Sequence, residues 1–154
     1  MDLKEYEPII ENVMKQLCEN SRFPQTANYK QHGSLSVYEH SIDVARMSCR
    51  IASKLHFNVD YASLIRGALL HDYFLYDWHV RSKEHRLHAF SHPRKALQNA
   101  CEDFELTPRE KKYYSPAYVS VNAYTTILFG KLDCMCRGYI LCAARNATVK
   151  CETT

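Results

Sequence analysis

The apolar positions of residues 1–111 recur every three or four residues, as they do on the buried face of an α-helix. This pattern predicts a series of helices separated by short polar segments. The predicted helices cover Met1 to about Glu19, Ser36 to about Leu55, Tyr61 to His71, roughly Pro93 to Asp103, and a last one that begins near Pro108. Residues from Asn20 to about Leu35 lack the period and carry Pro24 and Gly33, so we predict an irregular connector there.

Capping residues support two of these helix starts. Ser36 and Glu39 form a capping-box pattern, in which each side chain bonds the backbone N–H of the other residue. Thr107 and Glu110 repeat the pattern around Pro108, a residue favoured in the first helical turn. Both helices are therefore predicted to begin where the apolar stripes begin.

The pattern changes near Lys112. Residues 113–129 mix β-branched and aromatic residues without a helical or strand period, and four of the seven cysteines lie at or after Cys134. We therefore predict one all-α helical bundle, in which residues 1–111 form the helical part and residues 112–154 form an atypical C-terminal segment.

Length and charge narrow the class of protein. The chain has 154 residues, enough for one domain with its own core. Its formal net charge of +3 is not concentrated in a basic block, so nucleic acid is not expected as a partner. The first residues are amphipathic and acidic, unlike a signal peptide or a membrane span, which predicts a cytoplasmic protein with no membrane partner. The seven cysteines are then expected to be reduced.

The segment RGALLHDYFLYDWH, residues 66–79, carries the strongest chemical signal. Its first half is the apolar end of a helix that Asn58 or Asp60 can cap, and it leads into His71 and Asp72. A buried aspartate costs several kcal/mol unless a cation or hydrogen-bond donors compensate its charge. Imidazole nitrogens and a carboxylate oxygen are suitable ligands for Mn, Fe, Co, Ni or Zn, so the pair predicts a metal site.

Histidines are concentrated in the same part of the chain. Five of the eight lie between His71 and His92, and His40 stands on the apolar stripe of the second predicted helix. A single histidine in such a place is more often a core residue that bonds a carbonyl. Beside a histidine–aspartate pair on the next helix, His40 becomes a candidate metal ligand.

These residues lie in segments that resemble the HD-domain metal-dependent phosphohydrolases, in particular the small stand-alone bacterial members. The matching segments are VYEHSIDVARMS around His40, ALLHDYFLYDWH around His71 and Asp72, and HRLHAFSHPRKALQNA around His88 and His92. The resemblance covers about Gln31 to Lys111. It implies that the helical bundle has the HD-domain fold.

The resemblance also implies a set of ligands for one or two divalent metal ions, namely Mn, Fe, Co, Ni, Zn or Mg. His40, His71 and Asp72 match the ligands of the first ion. His88 and His92 match the positions that bind a second ion in family members with two. Contact with a phosphate group, or a place in solvent, is the alternative for these two histidines.

Further residues near the predicted site are candidates for supporting roles. Lys83, Arg86 and Arg94 can contact a negatively charged substrate, or they belong to a solvated basic loop. Asp77 and His79 are expected to hydrogen-bond a ligating histidine or to form the wall of the pocket.

The activity that the resemblance implies is hydrolysis of a phosphate ester or anhydride, in a small phosphorylated molecule that resembles a nucleotide. A metal-activated water is the nucleophile, and Asp72 is the catalytic residue that orients it. The alternative is a catalytically weak or inactive HD-fold protein that binds a metal or a ligand as a sensor. A purely structural helical module would require the histidine cluster to be accidental.

The C-terminal segment departs from the family, in which the last metal ligand is an aspartate on a later helix. Asp133, the only aspartate after Asp103, lies too early in the chain for that role, and Tyr139 stands near the expected place. Codons for residues 113–129 can be chosen so that a reading one base out of register resembles the missing family segment. We therefore hypothesise a frameshift in this part of the coding sequence.

Overall fold

The computed structural model describes residues 5–54, 56–80 and 88–112, and within them the chain is mainly helical. The helices are α1 (Glu7–Cys18), α2 (Val37–Lys54), α3 (Tyr61–Leu70), α4 (His88–Asp103) and α5 (Pro108–Lys112), and a 3₁₀ helix covers Phe23–Asn28. The predicted all-α class is confirmed. The predicted atypical segment, residues 112–154, lies outside the described residues except for Lys112.

Helix α3 lies at the centre of the core. It packs against both α1 and α2, and its residues 67–70 are all buried. Ile10 and Leu17 of α1 and Val44 of α2 belong to the same buried cluster. Full burial of an aliphatic side chain of this size contributes about 1.5–3 kcal/mol. The C-terminal end of α3 is therefore enclosed by protein, and the residues that follow it enter the core.

The predicted helix caps are confirmed. Ser36 N donates to Glu39 Oε2 at 2.9 Å, and Glu39 N donates to Ser36 Oγ at 3.2 Å. Thr107 and Glu110 exchange the same two bonds at 2.8 Å and 3.2 Å. Of the two candidate caps for α3, Asp60 is the one whose carboxylate accepts from a backbone N–H of the first turn. These bonds satisfy donors that the helices cannot satisfy internally.

The prediction of an irregular connector between α1 and α2 is wrong for much of its length. Besides the 3₁₀ helix, this region contains an antiparallel hairpin of β1 (Lys30–His32) and β2 (Leu35–Ser36). Gly33 turns the hairpin with a φ of 59°, a backbone conformation that glycine adopts without steric cost. Elements of two or three residues are too short to show a periodicity, so the apolar pattern could not reveal them.

The predicted start of α4 at Pro93 is also wrong. The helix begins at His88, and Pro93 lies inside it. Proline has no N–H group, so the helix forgoes one internal hydrogen bond at this position. Pro93 is buried.

Two further expectations concern membranes and thiols. Among residues 5–54, 56–80 and 88–112, no helix combines the length and the apolar character needed to cross a bilayer. Cys18, Cys49 and Cys101 are free thiols. Burial raises the pKa of the Cys49 thiol to about 12, so this side chain stays protonated at neutral pH.

Candidate metal centre

Three of the predicted ligands meet inside the protein. His40 lies on the buried face of α2, one turn after Val37, while His71 is the C-cap residue of α3 and Asp72 follows it. The exposed fractions of His40, His71 and Asp72 are 7%, 0% and 2%. The packing of α2 against α3 therefore brings these side chains together out of contact with bulk water.

The ligand atoms of these residues converge on one place. Asp72 Oδ2 lies 3.2 Å from His71 Nε2 and 3.7 Å from His40 Nε2. Each residue offers one ligand atom, and the three atoms lie within 4.8 Å of one another. The group could hold a metal ion, as the sequence predicts.

The hydrogen bond at His71 Nδ1 determines whether the Nε2 atom that faces Asp72 carries a proton. His71 Nδ1 lies 2.7 Å from the carbonyl oxygen of Ala68. A carbonyl oxygen only accepts hydrogen bonds, so Nδ1 carries a proton, and in the neutral ring Nε2 then presents a lone pair. This lone pair and Asp72 Oδ2 repel each other unless a proton or a metal cation lies between them. A proton would remove the repulsion between one pair of atoms, whereas a metal ion could bind all three ligand atoms.

The charge of Asp72 depends on the surrounding histidines. Burial alone would raise the pKa of this carboxyl group, but positive charge on His71, His92 and His40, when these rings are protonated, outweighs that effect and holds the pKa well below its usual range. The carboxylate is therefore an anion in a place that water does not reach. Compensation by a nearby cation is the condition for keeping such a charge buried.

The end of α3 adds a preference for positive charge. The last carbonyl groups of a helix carry a partial negative charge, equivalent to about half an elementary charge. His71 stands at the C-cap of α3, and the Leu70 carbonyl accepts from Tyr73 N at 3.2 Å in the following turn. A cation held by His71 and Asp72 would thus lie at the favourable end of the helix dipole.

His92 approaches Asp72 from the other side. Its Nε2 atom lies 3.7 Å from Asp72 Oδ1, whereas His40 and His71 face Oδ2. Within the described residues, Oδ1 is buried and makes no hydrogen bond. The structure thus brings His92 to the centre, and the His88 side chain lies outside what the structure describes.

Gln31 is a neighbour of the centre that the sequence analysis missed. Its Nε2 atom donates to Asp72 Oδ2 at 2.5 Å. A glutamine in a polar segment is usually a surface residue, so the residue type gave no signal. Only the alternation within β1, where Lys30 is exposed and Gln31 is buried, distinguishes it.

The backbone after the ligands is held by α4 and by the segment before the 3₁₀ helix. Asn99 Nδ2 donates to the Tyr73 carbonyl oxygen at 2.8 Å, and Tyr73 Oη donates to Asp103 Oδ2 at 2.5 Å. Arg22 Nε donates to both carboxylate oxygens of Asp103, at 3.0 Å and 2.9 Å. These contacts fix the turn that carries Asp72.

Of the remaining predicted residues, two pair with each other, one is exposed, and two lie outside the described residues. Lys83 and Arg86 lie outside the described residues, and Arg94 is exposed on α4. Asp77 Oδ1 accepts from His79 N at 2.9 Å and lies 3.1 Å from His79 Nδ1, and both side chains are nearly half exposed. The Nδ1 atom of His71 is bonded to the Ala68 carbonyl oxygen, and the predicted role of Asp77 stays a prediction.

Neither models of protein families, nor curated proteins, nor solved structures give a match to this chain. The resemblance seen in its motifs therefore stays a prediction.

Proposed function

We propose that the protein is a metal-dependent phosphohydrolase that cleaves a phosphate ester or anhydride in a small, nucleotide-like molecule. The observation that carries the proposal is the buried convergence of two imidazole nitrogens and one carboxylate oxygen at His40, His71 and Asp72. The motifs around these residues, which resemble those of HD-domain phosphohydrolases, supply the type of reaction.

The side chains fit a divalent ion of the first transition series. Nitrogen and oxygen ligands at about 2.0–2.2 Å from one ion lie roughly 3 to 3.5 Å apart. The ligand atoms of Asp72 and the two histidines are separated by 3.2 Å and 3.7 Å, close to that range. Imidazole nitrogens favour Mn, Fe, Co, Ni or Zn over Mg, which prefers oxygen ligands. His40, His71 and Asp72 would hold the first ion, and His92 with His88 would hold a second.

A bound ion would supply Lewis acidity toward a phosphoryl oxygen and would lower the pKa of a water from about 15.7 to about 7. The chain's own groups prepare the rest of the reaction. Asp72 keeps its negative charge while buried, and its Oδ1 atom, which makes no hydrogen bond within the described residues, would accept one from an attacking water. The Ala68 carbonyl holds the His71 ring with Nε2 directed at the centre.

The substrate is proposed to be anionic and small. Two neutral histidines and one carboxylate would leave a bound divalent cation with net positive charge, which would attract a phosphate group. Arg94 on α4, together with Lys83 and Arg86, provides candidate contacts for the remaining phosphate charge. All three contacts are proposals.

The test is a phosphatase assay with p-nitrophenyl phosphate and a set of nucleoside monophosphates, in the presence of Mn²⁺. The Asp72→Ala variant is expected to lose more activity than the about 10- to 100-fold that follows loss of a residue supporting a metal ligand. Asp77→Ala, an exposed aspartate in the same segment, is the matched control and should keep its activity. Equal activity of wild type and Asp72→Ala would contradict the proposal.

A catalytically weak or inactive metal-binding sensor is the second candidate. The departure of the C-terminal segment from the family pattern favours it, because Asp133 does not match the position of the last family ligand. Metal bound at one equivalent, with no turnover of any phosphate ester in the same assay, would select this candidate over the enzyme.

A further inference from the structure

Gln31 and His40 are carried by one continuous unit. The hairpin pairs Lys30 with Ser36, and Val37 N, at the start of α2, donates to the Tyr29 carbonyl oxygen at 2.8 Å. The strand that bears Gln31 is thus fixed to the first turn of the helix that bears His40. Its side chain enters the core from the hairpin, a different element from those that supply the three ligands.

The contact between Gln31 and Asp72 is a buried, charge-assisted hydrogen bond. Gln31 Nε2 donates at 2.5 Å to Oδ2, the same oxygen that faces His40 and His71. Gln31 is 8% exposed and Asp72 is 2% exposed, so water does not compete for the bond. A carboxylate only accepts hydrogen bonds, which fixes the orientation of the amide with its NH₂ group toward Asp72.

The other end of the amide indicates that Gln31 is more than a core residue. Its Oε1 atom is buried and makes no hydrogen bond within the described residues. Buried polar atoms that serve packing alone are nearly always paired. The unpaired acceptor beside Asp72 therefore needs a hydrogen-bond donor, which a water or a hydroxyl group of a bound molecule would supply.

We infer that Gln31 is a positioning residue of the candidate metal centre, with Nε2 orienting the metal-facing oxygen of Asp72 and Oε1 accepting from a donor bound there. This inference rests on the proposed metal site. The oxygen that accepts this hydrogen bond also lies 3.2 Å from His71 Nε2 and 3.7 Å from His40 Nε2. Residues that orient metal ligands in this way typically change metal affinity by about 10- to 100-fold when they are lost.

The first test compares Mn²⁺ and Co²⁺ binding to wild type, Gln31→Met and Gln25→Met, by calorimetric titration and by the visible absorption of bound Co²⁺. Methionine matches glutamine in length but cannot donate. Gln31→Met is expected to weaken binding about 10- to 100-fold and to shift the Co²⁺ bands, because the carboxylate loses its fixed orientation. Gln25, exposed on the 3₁₀ helix, is the matched control and should leave both unchanged.

A second variant distinguishes a role of Gln31 in orienting Asp72 from a role in core packing alone. Gln31→Glu keeps the shape of the side chain but sets two carboxylates against each other beside the centre. Its Tm without metal is expected to fall, and saturating Mn²⁺ should raise its Tm by more than it raises that of wild type. A purely structural role predicts the same Tm deficit with and without Mn²⁺.

The outcomes separate this inference from the proposed function. Wild-type affinity in Gln31→Met, or a Tm deficit in Gln31→Glu that Mn²⁺ leaves unchanged, would overturn the role of Gln31 while the metal site stands. Absence of Mn²⁺ and Co²⁺ binding in the wild type would overturn both. The variant Gln31→Glu keeps the first distinction measurable even where Gln31→Met does not fold.

Discussion

Asp72 divides its two oxygen atoms between two groups of neighbours. Oδ2 faces His40, His71 and the Gln31 amide, and Oδ1 faces His92. Under the proposed metal site, the tighter ion would lie on the side with two histidines, since more ligands bind one ion more strongly. In the same proposal, His92 would serve a second ion or a phosphate group on the opposite side.

The division predicts the behaviour of a His92→Ala variant. It is expected to keep one equivalent of Mn²⁺ at close to wild-type affinity, because the Oδ2 side of Asp72 is intact, and to lose any weaker equivalent. Calorimetric titration measures both, with His79→Ala, which removes an exposed histidine, as the control. Loss of the tight equivalent in His92→Ala would contradict the assignment.

At the scale of elements, α4 holds the turn that follows α3. Two of the contacts involve Tyr73, whose carbonyl oxygen accepts from Asn99 and whose hydroxyl donates to Asp103. Asp103 in turn binds Arg22, which lies just before the 3₁₀ helix. The position of Asp72 therefore depends on the docking of a helix that supplies none of the three clustered ligands.

The Asn99→Leu variant tests the first of these contacts. Removing the amide leaves the buried Tyr73 carbonyl without its donor, which typically costs about 1–3 kcal/mol. Urea denaturation is expected to show that loss in the free energy of unfolding. Gln98→Leu changes the exposed neighbouring position on α4 and should lie close to wild type. Equal stability of Asn99→Leu and Gln98→Leu would show that the contact does not hold the turn.

The contacts of Asp103 predict a dependence of stability on pH. Burial would raise the pKa of its carboxyl group, but the bonds from Arg22 and Tyr73 outweigh burial and lower it. A lowered pKa in the folded state adds stability above the unfolded pKa of about 3.9, and this stability is lost as the pH falls through the lower folded value.

An Asp103→Asn variant measures this effect against an Asp43→Asn control, in which the replaced carboxylate is mostly exposed. The difference in unfolding free energy between wild type and Asp103→Asn should be largest above about pH 5 and should shrink below about pH 4. A difference that stays constant from pH 7 to pH 3 would contradict the account.

Sequence reasoning predicted those elements that have strong local signals. The starts of α2, α3 and α5 follow from Ser36, Asp60 and Thr107, whose side chains bond the first turn directly. The hairpin and the early start of α4 were missed, because two- and three-residue strands show no period and a proline is expected at the start of a helix. Packing of the whole chain decides both features.

At the scale of the molecule, the same limit applies to the centre. His40, His71 and Asp72 could be predicted because an aspartate at the end of an apolar helix needs a compensating cation, and histidines on apolar helix faces can help to bind one. The contact of Gln31 could not be predicted, since it depends on where the hairpin lies relative to Asp72. The predicted roles of Lys83, Arg86 and the His88 side chain stay predictions, because they lie outside what the structure describes.

The hypothesis of a frameshift also concerns the whole molecule. Sequencing the coding DNA across residues 113–129 is expected to show codons that spell the family-like segment when they are read one base out of register. Restoring that frame should supply the later aspartate and increase metal affinity relative to the present chain. Codons incompatible with the shifted reading would end the hypothesis. The description of residues 5–54, 56–80 and 88–112 does not depend on the outcome.

The most direct test of the central claim is the metal content of the protein purified without chelator, measured by elemental analysis for Mn, Fe, Co, Ni and Zn. The account predicts about one equivalent or more per chain in the wild type and in Asp77→Asn, and almost none in Asp72→Asn, where the buried charge is removed with little change of shape. No metal in the wild type, with none taken up after addition of Mn²⁺ or Fe²⁺, would contradict the claim that His40, His71 and Asp72 form a metal centre.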